Sequence, residues 1–338
     1  MFGELLNNAD FKFVFRTKAR DLWSDVYRDL KFKPIDYQNF RIDYIAEYHT
    51  QHYTNIKDLS IVILSDNKPI GIWPLIACSK KTSHTLFSND QSILPPLFKP
   101  DCPSKTIKKC LLESFNFLKN SGCNLKISIP YFGESKIDQW HQICLLNGMP
   151  SKINYNLYVD LFKELDEIKK SFRKSYKPLI GVAKKSWTTD IHDKNFTKAT
   201  WAEFKDLHYE VAGKKTRSDD TWDMQYANIK DDNAFFISLR EDSSRMVGGG
   251  YFELSPNEGK YEIGVYDREL FDKPLGHIVQ YTAIEELKRR GIKFYKIGRR
   301  FYESDDPQPT DKEISISYFK EGFATETYPE YIFEYIKK

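Results

Sequence analysis

The chain has 338 residues, of which 41% are hydrophobic and 29% charged, an ordinary globular composition that excludes a fibrous or disordered polypeptide. Its 51 basic and 48 acidic residues leave a net charge of +3, too little by itself to announce a nucleic-acid binder, and no DNA partner is expected. The longest apolar stretches, such as Gly71 to Cys78, are far too short to cross a bilayer, so no membrane insertion is expected.

Five cysteines, Cys78, Cys102, Cys110, Cys123 and Cys144, include no C-x-x-C pair and support neither a disulfide framework nor a zinc site. Reduced thiols, no metal and a cytoplasmic location are expected, since the N-terminus also lacks the cationic start and apolar run of a signal peptide.

In chain order, residues 59–64 and 69–77 read as two apolar strands joined by the hairpin signal Ser65-Asp66-Asn67-Lys68. A helix over about 104–121 and a strand over 125–129 follow. Residues 165–185 have helical spacing, with Leu165, Ile168 and Phe172 on one face and Pro178 expected to kink or break the helix. A second amphipathic helix covers about 200–212 and stops at Gly213. Strands at 234–239 and 246–254 then precede a third at 260–267, a helix over about 275–290 and a strand over 293–298.

The order hairpin, helix, glycine stop, strand therefore occurs twice, with Leu118-Lys-Asn-Ser-Gly122 matching Leu287-Lys-Arg-Arg-Gly291. Two related α/β units are expected, 1–155 and 156–338, each a mixed, mostly antiparallel sheet flanked by helices, with most of the site in the second.

Several residues have the chemistry of a transfer site. Between Lys163 and Lys185 eight basic residues stand against three acidic ones, and they surround Ser171, Ser175 and Tyr176. Arg173 and Tyr176 are thus candidates for holding an anionic ligand. Arg217, on the polar loop after Gly213, is placed for bidentate phosphate contact. Beside it Ser218 or Asp219 would cap the next helix, and Trp222 is either core or a sugar platform.

In the strand 260–267, alternation puts Tyr261, Ile263 and Val265 on one side and Glu262, Gly264 and Tyr266 on the other. That makes Glu262 a candidate general base lining a cleft and Tyr261 a candidate substrate contact. The segment Phe271-Asp-Lys-Pro-Leu-Gly-His277 opens a helix whose amides at Leu275 and Gly276 could hold a phosphate or an oxyanion. Amides near Gly249 are an alternative oxyanion site. His277 is a second candidate base. Lys320, in Phe319-Lys-Glu-Gly-Phe323, is the candidate for oxyanion stabilisation or proton transfer.

Ser171-Phe-Arg-Lys-Ser-Tyr176, Thr216-Arg217, Gly248-Gly-Gly-Tyr-Phe252 and above all Phe319-Lys-Glu-Gly-Phe323 resemble the FemAB-like branch of the GNAT acyltransferase superfamily. The resemblance covers about residues 160–325; the first half fits as a diverged twin. It implies transfer of an acyl or aminoacyl group to an amine of a cell-surface polysaccharide, amino-sugar nucleotide or peptidoglycan precursor. In that family a loop arginine meets acceptor phosphates, which maps to Arg217, and a lysine of the last motif lies near the reacting groups, which maps to Lys320.

The superfamily's Arg/Gln-x-x-Gly-x-Gly/Ala loop for the coenzyme A pyrophosphate is absent. The helical-hairpin arm of some transfer-RNA-using members is absent as well. The donor is therefore open between acyl-CoA, a carrier-protein thioester and aminoacyl-tRNA. Two rival functions remain at this stage, an aminoacyl-tRNA-dependent transferase and a non-catalytic carbohydrate- or polyanion-binding protein of the same fold.

Overall fold

The computed structural model describes residues 11–80, 83–89, 92–134, 136–242 and 245–336. The chain divides into two compact units, one holding residues up to Asn154 together with Pro329 onward, the other Tyr155–Tyr328. The expectation that everything after 156 belongs to the second unit therefore differs at the C-terminus. Residues 326–335 form a single strand, so no break in local pattern announces the change of unit.

In the first unit the elements are β1 (Lys12–Phe15), α1 (Arg20–Asp29), α2 (Asn39–Tyr48), β2 (Thr54–Asp58), β3 (Ile61–Ser65), β4 (Lys68–Trp73) and β5 (Ile76–Lys80). They continue with β6 (Ser83–Phe87), β7 (Leu97–Phe98), α3 (Ser104–Asn120), β8 (Leu125–Ile129) and α4 (Gln139–Leu146). Asp66 and Asn67 have φ of 49° and 62°, the two positive values that a two-residue hairpin turn needs to follow the strand twist.

The expected single strand over 69–77 is two strands, because Pro74 interrupts the ladder and the chain leaves one sheet for another. One sheet has the order β1-β3-β4-β7 and another β2-β5-β6. β8 pairs antiparallel with Tyr331–Tyr335. The core gathers Trp73, Phe115, Phe117, Trp140 and Phe333.

The second unit begins within β9 (Ser151–Asp160) and runs through α5 (Leu165–Ser171), α6 (Tyr176–Ser186), β10 (Thr188–His192), α7 (Lys198–Ala212) and α8 (Asp219–Lys230). It continues with β11 (Ala234–Glu241), β12 (Arg245–Leu254), β13 (Glu258–Tyr266), α9 (Leu275–Arg289), β14 (Phe294–Arg300), α10 (Asp311–Glu321) and the start of β15 (Glu326–Tyr335). The helix expected to break at Pro178 breaks earlier, over 172–175. Pro178 sits in the first turn of α6, where its missing N–H deprives no carbonyl of a partner.

Helix ends follow local chemistry. Gly122, Gly213 and Gly291 take positive φ after their helices, and Ser218 caps α8 by accepting from the Thr221 amide.

Within this unit the strand order is β10-β11-β12-β13-β14-β9. Neighbours are antiparallel except β13 and β14, which are parallel and joined through α9. Helices cover both faces. Phe235, Ile237, Leu239 and Phe252 pack with α6 and α9, whereas Phe236, Tyr251, Ile263 and Val265 pack with Trp201, Phe204 and Trp222 of α7 and α8.

One irregularity sets the site. Tyr251 pairs with Ile263 but Phe252 pairs with Tyr261, so Glu262 is the extra residue of a β-bulge. The expected alternation fails here. Tyr261 lies on the α6–α9 face with Tyr266, and Ile263 and Val265 lie on the opposite one.

Candidate functional site

Parallel pairing between β13 and β14 is confined to Glu258–Lys260 against Phe294–Lys296. Past these residues the strands are no longer paired, and Lys320 of α10 reaches both. Its Nζ lies 5.3 Å from the centre of the Tyr261 ring on β13. On β14 a Cβ placed on Gly298 would stand 2.8 Å from the same nitrogen. Gly298 also has φ +144°, a conformation that side-chain-bearing residues rarely adopt, so its backbone calls for glycine, and a side chain there would push the end of Lys320 aside.

Burial in this wedge pulls the Lys320 pKa down from 10.5 to about 8, against the opposing pull of the Glu262 carboxylate. Glu262 itself is ion-paired with Lys260 at 3.0 Å. The wedge thus holds a partly buried ammonium whose charge the Glu262 carboxylate favours and burial opposes.

Beneath the lysine lies a buried polar layer. Tyr261 and Tyr266 share a hydrogen bond between hydroxyls at 3.1 Å, and the Tyr295 hydroxyl donates to Gln280 Oε1 at 2.5 Å. Burial pushes the Tyr261 phenol up to about 12 and raises those of Tyr266 and Tyr295 well above the ordinary value, so all three are neutral at ordinary pH. Gly264 exists to admit this arrangement, since a Cβ there would lie 1.6 Å from the Tyr261 hydroxyl. Tyr266, Gln280, Tyr295, Gly298 and Lys260 were not among the expected site residues. Gly298, at the end of a strand, was the one with a readable sequence signal.

The other expected site residues fall elsewhere. His277 is enclosed by the rings of Tyr176, Phe319 and Phe323, at 4.6, 5.1 and 6.0 Å between centres. Burial lowers its pKa to about 4, so it packs as a neutral ring among aromatics and is a poor base.

Arg173 and Tyr176 grip the end of α10. Arg173 donates to the Tyr176 hydroxyl at 2.9 Å and to the Tyr318 carbonyl at 3.0 Å, and the Tyr176 hydroxyl donates to the Phe319 carbonyl at 3.0 Å. The glycine of Phe319-Lys-Glu-Gly-Phe323 accommodates this grip, because a Cβ on Gly322 would be 2.1 Å from the Tyr176 ring. These two residues position Lys320 rather than offering an open anion site.

Arg217 is 6% exposed, and its guanidinium lies 3.7 Å from the centre of the Trp222 ring, itself 1% exposed. Together with burial, this charge holds the neighbouring His208 at a pKa of about 4. The exposed phosphate-contacting loop expected for Arg217 is therefore a packed elbow between α7 and α8, and Trp222 is core. Arg217 rests on the α7–α8 face of the sheet and Lys320 on the α6–α9 face, so the structure does not bring them together.

Gly249 lies mid-strand between β11 and β13, with a Cβ position only 2.5 Å from the Ile237 carbonyl, so its amide serves the sheet. At the start of α9 the Leu275 amide donates to the Lys273 carbonyl at 2.9 Å, and the Phe319 and Tyr266 rings lie over Gly276. Lys320, Glu262 and Tyr261 are the expected residues that the fold gathers. Among the described residues there is no group of three or more metal-ligating side chains, and no helix is long and apolar enough to cross a membrane.

A bulged strand parting from a parallel neighbour, with the crossover helix packed behind, belongs to a fold that the chain shares with FemX and with a tandem GNAT protein among solved structures. FemX is similar with a TM-score of 0.67 over 96% of this chain and 97% of its own, at 14% identity. The C-terminal domain of a putative lysylphosphatidylglycerol synthetase from Agrobacterium fabrum follows at 0.59, 10% identity, and 99% and 92% coverage. A tandem GNAT protein from the clavulanic acid biosynthesis pathway gives 0.51, at 11% identity and 96% and 98% coverage. No protein-family model and no curated protein sequence matches the chain.

Proposed function

We propose that the protein is an N-acyltransferase whose second unit moves an acyl or aminoacyl group from an activated ester or thioester to an amine. The acceptor amine belongs to a cell-surface polysaccharide, amino-sugar nucleotide or peptidoglycan precursor. The observation that carries this reading is the Lys320 ammonium in the wedge between β13 and β14, beside the Tyr261 ring and with a pKa drawn to about 8. The names of two similar folds, a putative lysylphosphatidylglycerol synthetase and a tandem GNAT protein, favour aminoacyl or acyl transfer, and the amine acceptor is this proposal's own choice.

In the reaction the acceptor nitrogen attacks the donor carbonyl, the carbon–oxygen or carbon–sulfur bond of the donor breaks, and the amine proton leaves to solvent or to the departing group. Lys320 donates to the oxyanion that develops on the carbonyl oxygen, while Glu262 and the Tyr261 ring fix the ammonium. One such donor is worth about 10²–10³ in turnover. Orientation of amine and carbonyl supplies much of the remainder, so no dedicated base is required.

The test presents purified protein with acetyl-CoA, an acyl carrier-protein thioester and aminoacyl-tRNA in turn, together with amino-sugar nucleotides and peptidoglycan precursors, and follows amide formation by mass spectrometry. Turnover that falls at least about 100-fold in Lys320→Met supports the assignment. Equal turnover in both proteins removes Lys320 from the site. Loss of product after ribonuclease treatment identifies transfer RNA as the donor carrier, and no product from any donor overturns the transfer reading.

A further inference from the structure

Between Glu167 and Asp190 the chain carries seven basic residues and no acidic one. Arg173 is taken up by the end of α10. Lys170 and Lys174, at the end of α5 and in the break after it, are exposed, as are Lys177, Lys184 and Lys185 of α6. None of these five is ion-paired among the described residues, and Lys177 reaches only the Lys170 carbonyl, at 3.4 Å.

The two helices bring their charges to one surface. Lys169 of α5 and Lys184 of α6 lie 5.0 and 4.5 Å from the centre of the same ring, Tyr281. Along α6, Lys177 and Lys184 are two turns apart and so stand on one side, with Lys185 next to them. Gly181 lies between them on that side, and a Cβ there would meet nothing within 4 Å. The face is therefore uncovered at its middle. Like charges gathered without counter-ions repel one another, and an anionic partner relieves them.

The chemistry between the lysines decides which anion. The rings of the segment, Tyr176 and Trp187, and Tyr281 beneath it are 5%, 7% and 2% exposed, so none is offered to a nucleobase. Ser171 and Ser186 donate their hydroxyls to carbonyls of their own helices at 2.7 and 3.2 Å. Exposed among the lysines are the aliphatic Pro178 and Val182, the latter 51% exposed. Lysines with apolar groups between them suit a surface that has mobile charges above an apolar layer, and a cluster of about four to eight basic residues on such a helix is the usual size for anionic lipid.

We propose that this face of α5 and α6 docks on a membrane surface carrying anionic phospholipid headgroups, with the lysines among the phosphates and Val182 at the level of the upper acyl chains. Each lysine held near such a surface strengthens attachment about fivefold. The inference goes beyond the transfer reaction and stands without it, because binding is read with neither donor nor turnover.

The test mixes the full chain with phosphatidylcholine vesicles, with and without phosphatidylserine, and reads binding by sedimentation. Binding to the anionic vesicles only is expected, half-saturated at about millimolar lipid and lost steeply as salt rises. Gly181→Glu should weaken it about fivefold and Gly181→Lys strengthen it about fivefold. Neither should lower the unfolding midpoint, because the added side chain meets open space and glycine is a poor helix former. Val182→Ser should weaken binding about threefold, a loss that phosphate contacts alone do not produce. A mixed-sequence RNA duplex is the comparison ligand. If a variant fails to fold, the wild-type difference between the two vesicles decides. Equal binding to neutral vesicles, no vesicle binding, an RNA duplex bound more tightly phosphate for phosphate, or indifference to residues 181 and 182 overturns the proposal.

Discussion

Lys320 should trade stability for function, and the trade can be measured. A lysine that releases its proton at about 8 in the folded chain and at 10.5 when unfolded is held in an environment that disfavours its charge. At about 1.4 kcal/mol for each tenfold change in the proton equilibrium, the difference is about 3 kcal/mol. Below pH 8 both states are protonated and the folded state bears the whole cost. Between about 8 and 10.5 the unfolded chain binds more protons, so wild-type stability rises with pH until the cost is gone. Lys320→Met keeps the length of the side chain and removes the charge. It should therefore stabilise the protein by up to about 3 kcal/mol at pH 7 and by almost nothing at pH 10.5, while turnover collapses. Urea midpoints of both proteins at half-unit steps across this range make the measurement. A gap that is flat with pH, or a destabilised Met variant at pH 7, would refute this picture of a partly buried ammonium.

Further predictions concern the surroundings of the lysine. Gly264→Ala should cost about 1–3 kcal/mol by colliding with the end of the Tyr261 ring, and adding Tyr261→Ala should remove that collision, so the two losses should be strongly non-additive in a double-mutant cycle of urea midpoints. Additive losses would show that the collision is relieved elsewhere. His277 and His208, each neutral in the fold with a pKa of about 4, must charge as the chain unfolds in acid. Their contribution is intact above 6.5 and lost as pH falls toward 4, so their imidazole NMR signals should not titrate between about pH 5 and 8. Arg217→Met should lower the unfolding midpoint through its lost stacking on Trp222, by up to about 2 kcal/mol, and leave the Michaelis constant for a phosphorylated acceptor unchanged. A raised Michaelis constant with full stability would restore the phosphate-contact reading.

Much of the frame was legible in the residues because it rests on local rules. Glycine stops, the Ser218 cap, the Asp66-Asn67 turn and the period of the long helices depend on neighbours a few residues away, so α3, α7 and α9 lie where their patterns place them. The motif around Lys320 could be singled out, but the reason for its glycine could not. Gly322 makes room for Tyr176, which arrives from 146 residues earlier in the chain.

Where the sequence reading failed, a non-local fact prevailed. Strict alternation put Tyr261 with Ile263, and a single bulged residue reversed it, because register is fixed by the partner strand and not by the strand itself. Arg217 read as an exposed anion contact since arginine on a polar loop usually is one, yet the α7–α8 elbow folds it flat on Trp222. Sequence alone determined the long helices α3, α7 and α9 with their glycine stops and the lysine worth testing. Tertiary structure alone decided which side chains share a face and which are taken from water, because burial and cross-strand register are made by residues distant in the chain.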